Sequence, residues 1–168
     1  MSHYLKLLPH GYLGAFDLSD EQCRPRDVTL TIASCAVEEV QNDDGKKPKA
    51  VVRFAKTDKA LIAGKTVLGL IATALDTGDA AQWVGRSVTL YPSRTMFGRD
   101  VCDCIRVRLP KGMTAQDSRF LTRKIKKDLA RDARLGEPDR VTPAAERLEP
   151  AGTGARAASE ASEAGDAD

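Results

Sequence analysis

An alternating stretch in the middle of the chain holds the side chains best suited to chemistry. From position 101 to 109, mostly apolar side chains alternate with the polar residues Cys102, Cys104, Arg106 and Arg108. Because a β-strand sends successive side chains to opposite faces, this stretch predicts a strand with one apolar face. The second face would carry two thiols and two guanidiniums, which suits a metal ion, a polyanion or plain contact with water.

The cysteines are poorly spaced for a metal. Structural zinc sites usually take cysteine pairs with two to four residues between them on a turn, where the backbone wraps the ion. Cys102 and Cys104 have one residue between them on a predicted strand, and both histidines fall within the first ten residues. We therefore expect neither a metal nor a cofactor.

A polyanion suits the cationic residues, because the two predicted hairpins combine them with aromatic residues. Single-stranded nucleic acid is held by a positive groove that follows the phosphates and by aromatic faces on which bases stack. Tyr91 is the first stacking candidate, since Val88 and Leu90 would face the core and Tyr91 the opposite side. The predicted nucleic-acid-binding residues are Lys46, Lys47, Lys49, Arg53, Tyr91, Arg94, Phe97, Arg99, Arg106 and Arg108.

Ordinary structural roles stay open for several of these residues. Arg106 and Arg108 could do no more than keep a strand edge soluble, and Tyr91 could be a plain strand residue. Trp83 is expected to anchor the core beside a helix rather than to stack on a base. Because the chain is only 5% aromatic, the predicted binding is weak, salt-sensitive and largely independent of base sequence.

The elements that position these residues follow from hydrophobic periodicity. Alternation predicts strands over 27–40, 48–55, 60–63, 87–92 and 101–109. Apolar residues three and four apart, from Val67 onward, predict a helix that starts at Lys65 and Thr66 and closes at Gly78. A second, basic amphipathic helix is predicted from Ala115 to Leu135, with Thr114 and Asp117 as its capping pair.

This order of elements predicts a mainly β fold. Three strands, a helix and two further strands match a five-stranded OB-fold barrel with one helix between strands 3 and 4. An SH3-like barrel lacks so long a helix there, and an α/β sheet would need more crossover helices. The chain divides into an N-terminal extension (1–26), the barrel (27–110), the basic amphipathic helix (111–136) and a disordered acidic tail (137–168).

Charge is divided unevenly between the predicted barrel and the tail. From Glu137 onward three arginines face eight acids, so the tail carries −5 and the rest of the chain +7. The tail has too few apolar residues to offset the entropy of ordering, which predicts disorder. We expect it either to compete for the nucleic-acid groove or to recruit a protein partner. It ends in "EAGDAD", without the apolar tip on which bacterial single-strand binders rely for docking.

The sequence also predicts where the protein works. No apolar run is long enough to span a bilayer, and the N-terminus is a poor signal peptide. We expect a cytoplasmic protein with no membrane partner, and therefore thiols rather than disulfides.

Residues 27–110 resemble a family of small phage and prophage proteins predicted to be OB-fold single-stranded DNA-binding proteins. The resemblance rests on "DVTLTI", "KPKAVVRF", "WVGRSVTLYP", "FGRDV" and "IRVR". The chain departs from the family before the helix, where "AGKTV" stands in place of an Asn-Lys-Thr-Asn run. The resemblance implies an OB-fold, single-stranded DNA as partner, and a role in phage replication or recombination inside a bacterial host cell.

Two functions of different class follow. No nucleophile, base and orienting group can be assembled, so we expect a protein that is not an enzyme. The first function is non-sequence-specific binding of single-stranded DNA. The alternative is an OB-fold protein-protein interaction module, such as a phage factor engaging a host protein. An exposed strand edge also leaves a homo-oligomer open.

Overall fold

A five-stranded antiparallel sheet carries the fold in the computed structural model, which describes residues 11–42 and 45–136. The strands are β1 (Val28–Asn42), β2 (Gly45–Phe54), β3 (Leu61–Ala63), β4 (Ser87–Phe97) and β5 (Asp100–Val107). Their order in the sheet is β3-β2-β1-β4-β5. Helix α1 (Lys65–Leu75) lies between β3 and β4, and helix α2 (Arg123–Asp132) follows β5. The predicted mainly β class and the helix between strands 3 and 4 are confirmed.

Strand β1 is long enough to pair with two strands, β4 and β2. Residues 28–31 pair with β4, the remainder pairs with β2, and the register shifts between Ile32 and Ser34. Strand β4 runs past the start of β1 while still paired with β5. The β1–β2 hairpin and the β4–β5 hairpin therefore leave β1 at opposite ends.

The sheet is open between β3 and β5, its two edge strands. Among the described residues no pairing joins them, so the predicted closure into a barrel is not shown. The N-terminal segment lies at this gap, where Leu13 lines a cleft between β3 and β5. The amide of Leu13 donates to the carbonyl of Ala60 (2.7 Å), and Leu18 is 1% exposed in the core. The segment thus pairs with Ala60, directly before the edge strand β3.

Helix α1 closes one side of the hydrophobic core. Val67, Leu70 and Ile71 are buried against the sheet, as their spacing predicts. The helix ends at Leu75, before the predicted Gly78, because Asp76 adopts the left-handed conformation (φ 52°) that aspartate tolerates.

The predicted role of Trp83 is confirmed. Its side chain is 4% exposed, and its indole N–H donates to the carbonyl of Thr77 (2.9 Å). This bond satisfies the one polar group that its burial would otherwise leave without a partner.

The second helix is shorter than predicted. It begins at Arg123, where the Thr122 side chain accepts from the amide of Ile125. Thr114 and Asp117 form the predicted hydrogen bonds, but around a turn rather than at a helix start. The Thr114–Asp117 pair therefore stabilises a turn, and the residues that follow it do not form a helix.

The apolar stripe of this region still packs as predicted. Leu121 is buried, and Ile125 and Leu129 pack against the same core. At Gly69 in α1, a Cβ would lie 2.5 Å from the Leu121 side chain. The missing side chain at Gly69 thus lets the stripe approach α1.

Some predictions fall outside these observations. The acidic tail, 137–168, lies outside the described residues. Across the described ranges, no helix is long and apolar enough to cross a membrane.

Candidate nucleic-acid interface

The β4–β5 hairpin is a two-stranded ribbon with two chemically different faces. It is longer than predicted: positions 93–97 continue β4, and only Gly98 and Arg99 form the turn. Pro92 and Ile105 are buried on the face that continues the core. The opposite, outer face carries Tyr91, Ser93, Thr95, Phe97, Asp100, Cys102, Cys104 and Arg106.

The tip of the ribbon presents an exposed aromatic ring beside a cation. Phe97 is 78% exposed, and Arg99 is exposed in the turn that follows it. Arg94 lies on the core-side face of the ribbon, where its register partner is Asp103. Phe97 and Arg99 thus both lie at the tip of the ribbon, while Arg94 lies on the face opposite to Phe97.

Arg106 lies at the opposite end of the ribbon, against helix α2. Its side chain is 11% exposed, and its guanidinium lies 3.3 Å from the carboxylate of Asp132. Asp132 is 4% exposed and also pairs with Arg131 at 3.3 Å. Arg106 was predicted to contact phosphate, but in the structure its guanidinium is largely buried in an ion pair with Asp132.

Arg108 is held between an acid and an aromatic ring. Its guanidinium donates twice to Asp27, at 2.9 and 3.1 Å, and lies 3.7 Å from the centre of the Tyr91 ring. Tyr91 does face away from the core, as predicted, but one face of its ring is covered by Arg108. The pair forms a cation–π contact within the protein rather than an open stacking platform.

The β1–β2 hairpin carries the other predicted cations. Lys46 and Lys47 are exposed near its turn, and Lys49 is partly buried opposite Glu38. Arg53 is 51% exposed and donates twice to Glu38, at 3.1 and 2.8 Å. This hydrogen bonding to Glu38 raises the pKa of Arg53 and engages part of its donors.

Cys102 and Cys104 are partly buried free thiols on the outer face of the ribbon. Burial raises the pKa of the Cys104 thiol to about 11, against the lowering effect of Arg106. Within the described ranges no group of three histidine, cysteine, aspartate or glutamate residues is placed to hold a metal ion.

The predicted residues thus form separate groups rather than one surface. One group is at the ribbon tip, one is at the β1–β2 hairpin, and Tyr91, Arg106 and Arg108 lie towards α2 and the start of β1. Sequence reasoning missed the acids that pair with the arginines. Asp27 and Asp132 are 81 and 26 residues from their partners, so no local pattern could have found them.

Comparison of the chain with family models, curated proteins and solved structures gave no match. The resemblance to the phage family therefore stays a prediction, and function has to be argued from these surfaces.

Proposed function

We propose that the protein binds single-stranded DNA without sequence specificity, through the β4–β5 ribbon tip and the cations of the β1–β2 hairpin. The observation that carries the proposal is the 78% exposed ring of Phe97 beside exposed Arg99 at the tip of a two-stranded ribbon. An exposed ring offers a stacking surface to any base, and a neighbouring guanidinium attracts the phosphate.

The strand order supports an OB-fold for this binding mode. The order β3-β2-β1-β4-β5, with α1 between β3 and β4, is that of an OB-fold opened between its third and fifth strands. OB-folds bind oligonucleotides between the loops that join strands 1 to 2 and 4 to 5. In this chain those loops are the two hairpins with the cations.

The contacting set is narrower than the sequence suggests. We propose that phosphate and base contacts come from Lys46, Lys47, Lys49, Phe97 and Arg99. Asp100 and Asp103 on the same ribbon offset part of the positive charge, which supports weak and salt-dependent binding. We propose that this binding serves phage replication or recombination, as the resemblance to phage proteins implies.

The test is a titration of a fluorescent oligonucleotide of about 15 nucleotides, read by anisotropy. The full chain is expected to bind at about 0.05 M salt and to lose most of its affinity at about 0.3 M. Phe97→Ala is expected to weaken binding by about 1 to 3 kcal/mol through loss of stacking. Arg99→Glu is expected to weaken binding and to flatten its dependence on salt.

Two control variants match these changes. Val84→Ala removes another exposed apolar side chain, 52% exposed, outside the ribbon. Arg24→Glu changes the net charge by the same amount in the loop before β1. If the two control variants weaken binding as much as Phe97→Ala and Arg99→Glu do, the proposed surface is contradicted.

A protein-protein interaction module is the second candidate function. Exposed Val37 (72%), Phe97 and Val101 (44%) give both hairpins apolar surface, which suits a protein partner. The ion pairs of Arg53 and Arg108 also reduce the charge available to a polyanion. A folded sample that binds no oligonucleotide at low salt would favour this candidate.

A further inference from the structure

Helix α2 carries exposed cations on the side turned away from the core. Ile125 and Leu129 pack against the core and Asp132 is buried, so these residues define the inner side of the helix. The outer side holds cations three and four residues apart, a spacing that places them on one face. This set is the α2 cationic face, and its exposed members are Arg123, Lys124, Lys127, Arg131 and, in the short turn after the helix, Arg134.

Most of these cations have no acid beside them. Within residues 11–42 and 45–136, the ion pairs of the α2 cationic face all involve Arg131, which contacts Asp128 and Asp132. A helix face that only meets water usually mixes both signs, because opposite charges three and four residues apart stabilise the helix. The outer side of α2 is instead a concentrated positive surface.

This arrangement of charge destabilises the helix that carries it. Lys127 has like-charged neighbours four residues away on both sides, Arg123 and Arg131, and such pairs are unfavourable in a helix. Arg123 and Lys124 also occupy the first turn, which contains no acid and where the helix dipole disfavours cations. An anionic partner that neutralises the face would remove both effects.

The shape and composition of the face indicate which anion fits it. Its cations are spread over about 16 Å of chain, so they suit a row of negative charges rather than one small ion. Residues 121–136 contain no aromatic side chain, so the face offers an unpaired base no ring on which to stack. Duplex DNA carries one negative charge per about 1.7 Å of its axis, and neutralising its phosphates releases more counterions than neutralising those of a single strand.

We propose that the α2 cationic face binds the phosphate backbone of double-stranded DNA. The binding is independent of base sequence, because contacts with phosphates carry no sequence information. Helix α2 contacts the ribbon at the end opposite to its tip, through Arg106 and Asp132. The duplex surface is therefore separate from the ribbon tip and does not depend on the proposed single-strand function.

The test titrates the full chain into a fluorescent blunt-ended duplex of about 15 base pairs, read by anisotropy. Binding is expected at about 0.05 M salt. The logarithm of the association constant should fall with that of the salt concentration with a slope of about −4, since about four to five phosphates are neutralised.

Lys127→Glu separates loss of binding from loss of folding. It reverses the charge at the centre of the face, so the duplex affinity is expected to fall about tenfold and the salt slope to flatten by about 1. The same glutamate replaces like-charge pairs with Arg123 and Arg131 by favourable ones. The urea midpoint of this variant is therefore expected to equal or exceed that of the native chain.

Lys56→Glu is the matched control. It makes the same change in net charge at an exposed lysine before β3, and the duplex affinity is expected to fall less than about twofold. Equal losses in the two variants would overturn the inference, and so would unchanged duplex affinity in Lys127→Glu.

Phe97→Ala distinguishes the two proposed DNA surfaces. It is expected to weaken binding of a single strand and to leave the duplex affinity unchanged. Single-strand binding without duplex binding would reject the α2 surface alone, and would favour an acidic protein as the partner of this face. Duplex binding without single-strand binding would reject the ribbon-tip function and support the α2 surface.

Discussion

Arginines of the β4–β5 region have different roles because their burial differs. Arg99 is exposed at the tip, Arg108 is 40% exposed beside Asp27, and Arg106 is 11% exposed against Asp132. An exposed ion pair contributes little to stability, whereas a buried one is destabilising to break. Arg99 is therefore the residue best placed to meet a ligand, and Arg106 the one best placed to fix α2.

Cys104 gives a prediction about pH. Burial raises the pKa of its thiol from 9.0 to about 11, so the folded state favours the protonated form. Its contribution of about 2 kcal/mol is present below pH 9 and is lost as the pH rises through 9 towards 11. Across that range, urea unfolding should show the native chain losing about 2 kcal/mol more stability than Cys104→Ala. Parallel stability curves for the two proteins would contradict this assignment.

Helix α2 is held to the sheet by a charge as well as by its apolar stripe. Asp132 ends the helix, where the helix dipole disfavours a carboxylate, so its pairing with Arg106 has to outweigh that cost. Asp132→Asn is expected to lower the free energy of unfolding by about 3 kcal/mol, because it leaves Arg106 buried without a counter-charge.

Asp128→Asn is the matched control on the same helix. Asp128 is 42% exposed and lies 3.7 Å from Arg131, so its loss should lower the free energy of unfolding by less than about 1 kcal/mol. Both values come from chemical denaturation followed by circular dichroism. Equal losses in the two variants would show that the Arg106 pair does not hold α2.

Elements whose signal is local were predictable from the sequence, and those that depend on distant partners were not. The strands and α1 follow from alternation and from apolar spacing, both of which report on core contacts. Positions 93–97 look like a turn by composition, but their pairing with β5 extends β4. The ion pairs of Arg106 and Arg108 form with acids that are distant in the sequence. Sequence patterns therefore predict more exposed cations than the structure has.

The whole molecule combines an open sheet with an uneven charge. Leu13 of the N-terminal segment lines the cleft between β3 and β5, and Leu18 of the same segment is buried in the core. The remaining strand edges keep a homo-oligomer as a prediction, which a solution mass with and without oligonucleotide would test. Electrostatic attraction acts over a longer range than these contacts. The negative charge after Gly136 can therefore act on the cations of the hairpins.

The last prediction concerns residues after Gly136, which carry −5 against +7 in the rest of the chain. If these acids compete with DNA for the hairpin cations, a chain ending at Gly136 should bind an oligonucleotide several-fold more tightly at about 0.05 M salt. The gain should shrink at about 0.3 M salt, because screening acts on the tail and on the DNA alike. Circular dichroism of both chains would verify that the shortened chain keeps its fold. Equal affinities at low salt would mean that the tail does not compete, which would favour its recruiting a protein partner.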